Sequence, residues 1–339
     1  MSLSIHSDAF REVSMALTEM GLVTRDVPIT LTSLSGGVSC DVFRVEIAGR
    51  TPLVVKRALP KLRVNVDWRA PPARSEAEVA WIELVSGINP HWVPKILGVN
   101  RERHLFAMEY LPSERYPIWK SELAAGRIDV DFAAGVGAAL SQIHAATAGR
   151  SDLAKSFAND AQFYALRLEP YLLFTAEHHP DLAPVIREVA ERIARSRIAL
   201  MQGDISPKNI LCGPFGPVFL DAETACYGDP AFDLAFCLNH FLLKSVWHPQ
   251  WRDRYAEIYS ALYRTYSSGV TWEATTALDR RATRLLPMLF LARVDGKSPV
   301  EYLTKESDKA FVRKSARAMI EQPPESLDEL ARRYFAGSR

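Results

Sequence analysis

The sequence lacks an excess of either charge: 41 Lys and Arg stand against 40 Asp and Glu, a net of +1. No broad field of one sign exists to draw in nucleic acid or an anionic membrane surface, so neither is expected as a partner. Cysteine is scarce. Cys40, Cys212, Cys226 and Cys237 stand far apart, without a CxxC pair or a His cluster at metal-ligand spacing, which argues against zinc and against a disulfide framework. No run approaches the roughly 18 uncharged apolar residues of a membrane span. The opening residues MSLSIHSDAFREV lack the basic-then-apolar pattern of a signal peptide, and the expected location is cytoplasmic. Internal repeats, heptads and low-complexity segments are also missing.

What is present is a globular composition, 48% hydrophobic and 24% charged over 339 residues, long enough for two lobes sharing a cleft. Phe10, Val13, Leu17 and Met20 fall at helical spacing, so a leading helix is expected near residues 8–21. ITLTSL, VFRVEI and PLVVKRAL follow as short β-rich runs, then a basic, proline-flanked loop at 60–74. SEAEVAWIELVS reads as a helix with Val79, Ile82 and Val85 inward, and PKILGV and HLFAMEY as two more strands. Helices are expected near 131–146, 163–177 and 182–196, and through 229–336. The fold class is thus α+β. A small antiparallel sheet with a helix fills residues 1–111, and a larger, mainly helical lobe fills 112–339.

The chemistry concentrates between Met201 and Asp233. Asp204 is followed five residues later by Asn209, and after a Gly/Pro turn the apolar run Val218-Phe219-Leu220 ends on Asp221, with Glu223 beyond. Phosphoryl transfer needs an attacking hydroxyl aligned with the γ-phosphorus and Mg²⁺ to neutralise charge on the phosphate oxygens. Asp204 suits the role of general base. Asn209 and Asp221 supply the hard oxygen ligands that Mg²⁺ prefers, and Glu223 is placed to serve a second metal or its water. A polar loop with two capping aspartates would show the same residue types, but not this concentration of groups that are expensive to bury.

Three further features fit a nucleotide. Ser35, Gly36 and Gly37 form a turn whose backbone N–H groups can approach a phosphate, although a simple hairpin explains two glycines as well. Lys56 ends an apolar strand about twenty residues on, and an inward lysine there calls for an anion. Glu76 is the expected counter-ion, with Glu78 on another face as the second choice. Glu109, Tyr110 and Leu111 end a strand whose backbone could pair an adenine edge; an ordinary strand end reads the same way.

GDISPKNIL and VFLDAETACYGDPAFDLA resemble the signature of the aminoglycoside phosphotransferase and choline kinase superfamily, whose fold is related to the protein kinases. LSGGVSCDVFRV, VVKRALP, FAMEYLP and LSQIHA extend the resemblance over roughly residues 30–240. It implies a bilobal protein-kinase-like fold and an ATP- and Mg²⁺-dependent transfer to a small-molecule hydroxyl. By it Asp204 is the base, Asn209 and Asp221 hold Mg²⁺, Lys56 with Glu76 positions phosphate, and Asp233 braces the catalytic loop. The run from Lys56 to Arg63 and the Asp221-x-Glu223 pair are similar to methylthioribose kinases, and Asp-x-Glu also to choline kinases. One departure stands out: Gln202 replaces the family's usual histidine before Gly-Asp.

Two other readings use the same residues. One is an aminoglycoside 3'-type antibiotic kinase; the other, motivated by Gln202, is a nucleotide-binding regulatory protein of the pseudokinase kind. Phe241, Trp247, Trp251, Tyr255, Tyr259, Tyr263 and Trp272 fall at helical spacings and read first as a core stripe, with an aromatic cage as the alternative. Arg280, Arg281, Arg284 and Arg293, with Asp295-Gly296-Lys297, are candidates to meet a phosphate, a carboxylate or sugar hydroxyls. No feature of the sequence sets an oligomeric state.

Overall fold

A computed structural model describes residues 7–34, 40–59 and 71–337. The chain forms two compact units, one of Met1–Arg115 with Leu220–Glu223, the other of Tyr116–Phe219 with Thr224–Arg339. The division falls after Arg115 where the sequence reading drew it after Leu111, and it assigns the short Asp221 segment to the first unit.

In the first unit, helix α1 (Asp8–Glu19) is capped by the Ser7 hydroxyl, which accepts from the Phe10 N–H at 3.2 Å. Its apolar face buries Val13, Ala16 and Leu17 completely, and full burial of a side chain such as Leu17 is worth about 1.5–3 kcal/mol. The face rests on an antiparallel sheet of β1 (Ile29–Ser33), β2 (Cys40–Ile47), β3 (Leu53–Ala58), β4 (Ile96–Asn100) and β5 (Leu105–Glu109), in the order β1-β2-β3-β5-β4. Side chains alternate across a strand. Phe43, Val45, Leu53, Val55, Leu105 and Ala107 share one core with α1, and the alternation therefore puts Val54, Lys56 and Ala58 on the other face. Lys56 is central in the sheet, opposite Val42 on β2 and Phe106 on β5. Helix α2 (Arg74–Ile88) buries Arg74, Ser75, Glu78, Val79, Trp81, Ile82 and Val85.

The second unit is mainly helical, with two small strand pairs. β6 (Ala199–Met201) pairs with β9 (Cys226–Gly228), and β7 (Ile210–Gly213) forms a hairpin with β8 (Gly216–Phe219) that opens at Gly216, φ 115°. Around them run the long helices Val130–Thr147, Ala231–Trp247, Arg252–Ser268 and Thr275–Asp295. Every residue from Ala231 to Val246 is buried, which marks a central core helix. A Cβ on Gly137 would lie 2.3 Å from the Leu262 carbonyl oxygen, so glycine is what lets the first and third of these helices approach so closely.

Four members of the aromatic stripe are core, as their spacing suggested, while Trp247, Trp251 and Trp272 are half-buried. Phe241, Tyr255, Tyr259 and Tyr263 are buried, and the tyrosine hydroxyls donate to the Leu123 carbonyl (2.9 Å), the Leu327 carbonyl (3.3 Å) and Asp279 Oδ1 (2.9 Å). The four cysteines are free thiols. Among the described residues no helix is long and apolar enough to cross a membrane.

Candidate active site

In the first unit two buried cations, Lys56 and Arg74, hold the carboxylates of the Asp221 segment. Lys56 Nζ donates to Glu78 Oε1 at 2.8 Å and Oε2 at 2.7 Å, and also pairs with Asp221 Oδ1. Burial alone would drive this lysine's pKa down; Asp221 and then Glu78 overcome it and hold the ammonium well above its ordinary value. Burial pushes the Glu78 carboxyl up against the pull of Lys56. The expected partner Glu76 is thereby corrected to Glu78. The helix begins at Arg74, and Glu78 lies one turn before Ile82 on the buried face, whereas Glu76 is exposed.

Glu223 meets the second cation. Its Oε2 accepts from Arg74 Nε at 2.8 Å and from the Cys40 thiol at 3.5 Å. Arg74 is itself fixed by donating to the carbonyls of Pro71 (3.0 Å) and Leu59 (2.7 Å). Both carboxylates of the Asp221-x-Glu223 pair are thus clamped by buried bases. Asp221 also holds a left-handed backbone, φ 63°, a conformation costing about 1–3 kcal/mol that persists only where surroundings enforce it. At the end of β5 the Glu109 N–H donates to the Lys95 carbonyl at 3.0 Å, its carboxylate accepts from the Lys95 N–H at 2.8 Å, and Arg44 stacks 4.6 Å over the Tyr110 ring. Leu111 follows, half-buried. Ser35, Gly36 and Gly37 lie outside the described residues, as does the run from Pro60 to Arg63.

In the second unit the loop from Gln202 to Asn209 is held from several directions. The buried Asp233 carboxylate accepts from the N–H groups of Gln202 (2.7 Å) and Gly203 (2.8 Å), and lies 3.3 Å from His144 Nε2. His144 in turn meets the Tyr266 hydroxyl at 2.8 Å. The Gly203 carbonyl accepts from Arg167 Nε at 2.5 Å. Gly203 has φ 80°, and a Cβ there would sit 2.7 Å from Thr224 Oγ1, so only glycine fits the turn. Gln202 takes over a bracing role: its side-chain oxygen accepts the Asp204 N–H at 2.6 Å.

The loop presents Asp204, buried at 4% exposure. Three donors meet its Oδ2: Arg167 Nη2 at 3.0 Å, Lys208 Nζ at 3.1 Å and Asn209 Nδ2 at 2.9 Å. That arrangement fixes the carboxylate's plane through Oδ2. The Asn209 amide nitrogen also donates to the Asp204 carbonyl at 3.1 Å, which turns the amide's oxygen away as a metal-ligand candidate. Among the described residues no three of His, Cys, Asp and Glu group as a metal cage. Mg²⁺ does not need one, since it keeps waters and substrate phosphates as ligands beside one or two protein oxygens. An amide oxygen such as that of Asn209, and a carboxylate oxygen such as those of Asp221, is each a ligand type of that kind.

The model of the phosphotransferase enzyme family matches residues 30–277, well over half of the chain. The chain belongs to that family. The family's fold is also what solved structures share with it. A choline kinase from Streptococcus pneumoniae is 14% identical, with 92% of this chain and 100% of that one covered at a TM-score of 0.56. An ethanolamine kinase from Plasmodium vivax gives 14%, 92%, 89% and 0.56, and an amicoumacin kinase in complex with AMP-PNP and Ca²⁺ gives 13%, 95%, 97% and 0.57. No curated protein matches the chain. The chain therefore has the protein-kinase-like α+β fold of this superfamily, with its five-stranded antiparallel sheet and mainly helical partner unit.

Three polar partners of the loops, Arg167, Arg74 and Lys208, are not among the residues the motifs single out. Arg167 lies in a π-helical segment, Tyr164–Leu173, with Pro170 inside; such wide turns recur at functional sites, but no motif surrounds this one. Arg74 sat in the stretch expected to be loop. Lys208 stands inside the motif, four residues from Asp204, and is the one of the three that its position marks. The C-terminal arginines separate. Arg281 pairs with Asp229 (2.8 Å) and Glu273 (2.7 Å), Arg284 with Glu188 (3.7 Å), and Arg280 is exposed. Lys297 pairs with Glu169 at 2.5 Å. Arg293 alone of the four is buried.

Proposed function

We propose that this chain transfers the γ-phosphoryl group of ATP to a hydroxyl of a small molecule. The observation that carries the reading is the Asp204 carboxylate, buried and held through Oδ2 by Arg167, Lys208 and Asn209. Asp204 orients the acceptor hydroxyl and takes its proton; the acceptor oxygen bonds to the γ-phosphorus, the bond from that phosphorus to the β-bridging oxygen breaks, and ADP leaves. A positioned general base of this kind contributes about 10²- to 10⁴-fold in rate. Lys56, set by Glu78, is assigned to the phosphates, with Ser35, Gly36 and Gly37 as the covering turn and the Glu109–Leu111 backbone for the base. Asn209 and Asp221 would hold Mg²⁺, and Glu223 would orient its water; the metal, when bound, neutralises charge on the phosphate oxygens.

The regulatory alternative was motivated by Gln202. The bond from the Asp204 N–H to the Gln202 side chain at 2.6 Å weakens that motive, because the glutamine itself braces the loop. The aminoglycoside alternative uses the same chemistry and differs in acceptor. Two measurements test the reading. Mg-ATP at 100 times its dissociation constant should stabilise the fold by about 2.7 kcal/mol, and ADP release should depend on adding one class of hydroxyl acceptor. Binding without release for every acceptor would favour the regulatory alternative.

A further inference from the structure

The helix Ala231–Trp247 carries two polar side chains that the catalytic loop does not use. His240 and Lys244 stand four residues apart, hence on one face, and are 7% and 1% exposed. Among the described residues neither His240 Nε2 nor Lys244 Nζ has a hydrogen-bond partner; the same holds for Arg293 Nε and the Tyr302 hydroxyl. An orphaned buried polar atom is unusual in a native fold, and an unpaired buried ammonium more so. Lys244 is partly compensated by aromatic faces, 5.3 Å from the Trp247 ring centre and 4.9 Å from that of Tyr302, which stack on each other at 4.5 Å.

These atoms form one neighbourhood. Burial drives His240 well below its ordinary pKa, and the charges that add to this are all positive: Arg293, Lys244, Lys208 and Lys120. The nearby carboxylates are committed, Glu301 to Lys120 and Asp204 to Arg167 and Lys208. The neighbourhood also adjoins Asp204. Arg167 lies 5.9 Å from the Phe236 ring, whose centre is 5.6 Å from that of His240, and Arg293 Nη1 is 3.1 Å from the hydroxyl of Tyr171, beneath Arg167. Phe236 and Tyr171 thus connect Arg167, which holds Asp204, to this group of unsatisfied donors.

We propose that the acceptor carries an anionic oxo group, a carboxylate or a phosphate, which docks on Lys244, His240 and Arg293 while its hydroxyl faces Asp204. Trp247 and Tyr302, stacked on each other beside Lys244, give the anion-bearing end of the acceptor an apolar wall. The inference rests on the phosphotransferase reading for the hydroxyl and on the buried donors for the anion. It runs against the cationic acceptors, amino alcohols and aminoglycosides, which need carboxylates where this chain places cations.

The test is ADP release from Mg-ATP with matched acceptors: hydroxy acids, sugar phosphates, neutral polyols, amino alcohols and aminoglycosides. Thermal stabilisation by inorganic phosphate and by acetate, without nucleotide, is measured alongside. Wild type should prefer one anionic class over its neutral analogue by about 10- to 100-fold in kcat/KM, as expected for a charged hydrogen bond. Hydroxy acids against sugar phosphates decides between carboxylate and phosphate. Lys244→Met should remove that preference chiefly through KM and abolish stabilisation by the anion, and Lys244→Arg should restore part of both. Stabilisation by phosphate or acetate that is lost in Lys244→Met, with no transfer to any acceptor, upholds the anion site and overturns the transferase reading. Turnover of neutral or cationic acceptors, unchanged in Lys244→Met and not inhibited by either anion, overturns the inference and leaves the transferase reading standing.

Discussion

Replacing Asp233 by Asn isolates what holds the catalytic loop. The carboxylate is fully buried and accepts the Gln202 and Gly203 N–H groups at 2.7 and 2.8 Å, one on each oxygen, with His144 Nε2 at 3.3 Å. An asparagine keeps the shape but has one acceptor, so its NH₂ must face one of those N–H groups. That leaves a buried donor unsatisfied, and the remaining bond loses its charge; together the loss is about 2–4 kcal/mol. The fold should persist, because total stability is typically about 5–15 kcal/mol. Urea unfolding should show a lower midpoint at an unchanged m-value. Turnover should fall further than KM for ATP rises, since the loop that carries Asp204 is loosened while Lys56 is untouched. A stability loss under about 0.5 kcal/mol, the scatter of ordinary surface substitutions, would refute the bracing argument.

Other outcomes follow from the same geometry. Gly203→Ala forces a Cβ to 2.7 Å from Thr224 Oγ1 at φ 80°, whereas Gly149→Ala has φ 70° with nothing within 4 Å; the second should cost about 1–2 kcal/mol from backbone strain alone, and the first clearly more, by urea unfolding. Lys56→Met leaves Glu78 and Asp221 facing each other without their cation, and should lose about 3–5 kcal/mol of stability and nearly all ADP release. Burial lowers the Lys244 pKa to about 7 from 10.5, so between those values the unfolded chain binds more protons than the folded one. Stability should therefore rise as pH climbs from about 7 towards 10, and Lys244→Met should flatten that rise in a series of urea titrations.

Much of this architecture could be read from residue order because its signals are local. The period-two runs gave the sheet, and the 3.6-residue spacing gave α1 and the aromatic stripe. Asp204, Asn209, Asp221 and Glu223 stood out because several groups costly to bury were written close together. The partners of these groups were harder. Choosing Glu78 over Glu76 required the phase of α2 relative to β3, although the buried face marked by Val79 and Ile82 already contained residue 78. Arg167 reaches the loop from 37 residues before Asp204, measured along the sequence, and Arg74 reaches Glu223 across 149 residues. Contacts of that separation leave no periodic trace. Lys244 and His240 looked like ordinary members of a helix; only their burial without partners sets them apart.

The role of Asp204 as the base of a phosphoryl transfer is tested by steady-state ADP formation in Asp204→Asn with an acceptor that wild type turns over. A fall of about 10²- to 10⁴-fold in kcat is expected, with thermal stabilisation by Mg-ATP retained. Turnover within a few-fold of wild type would contradict it.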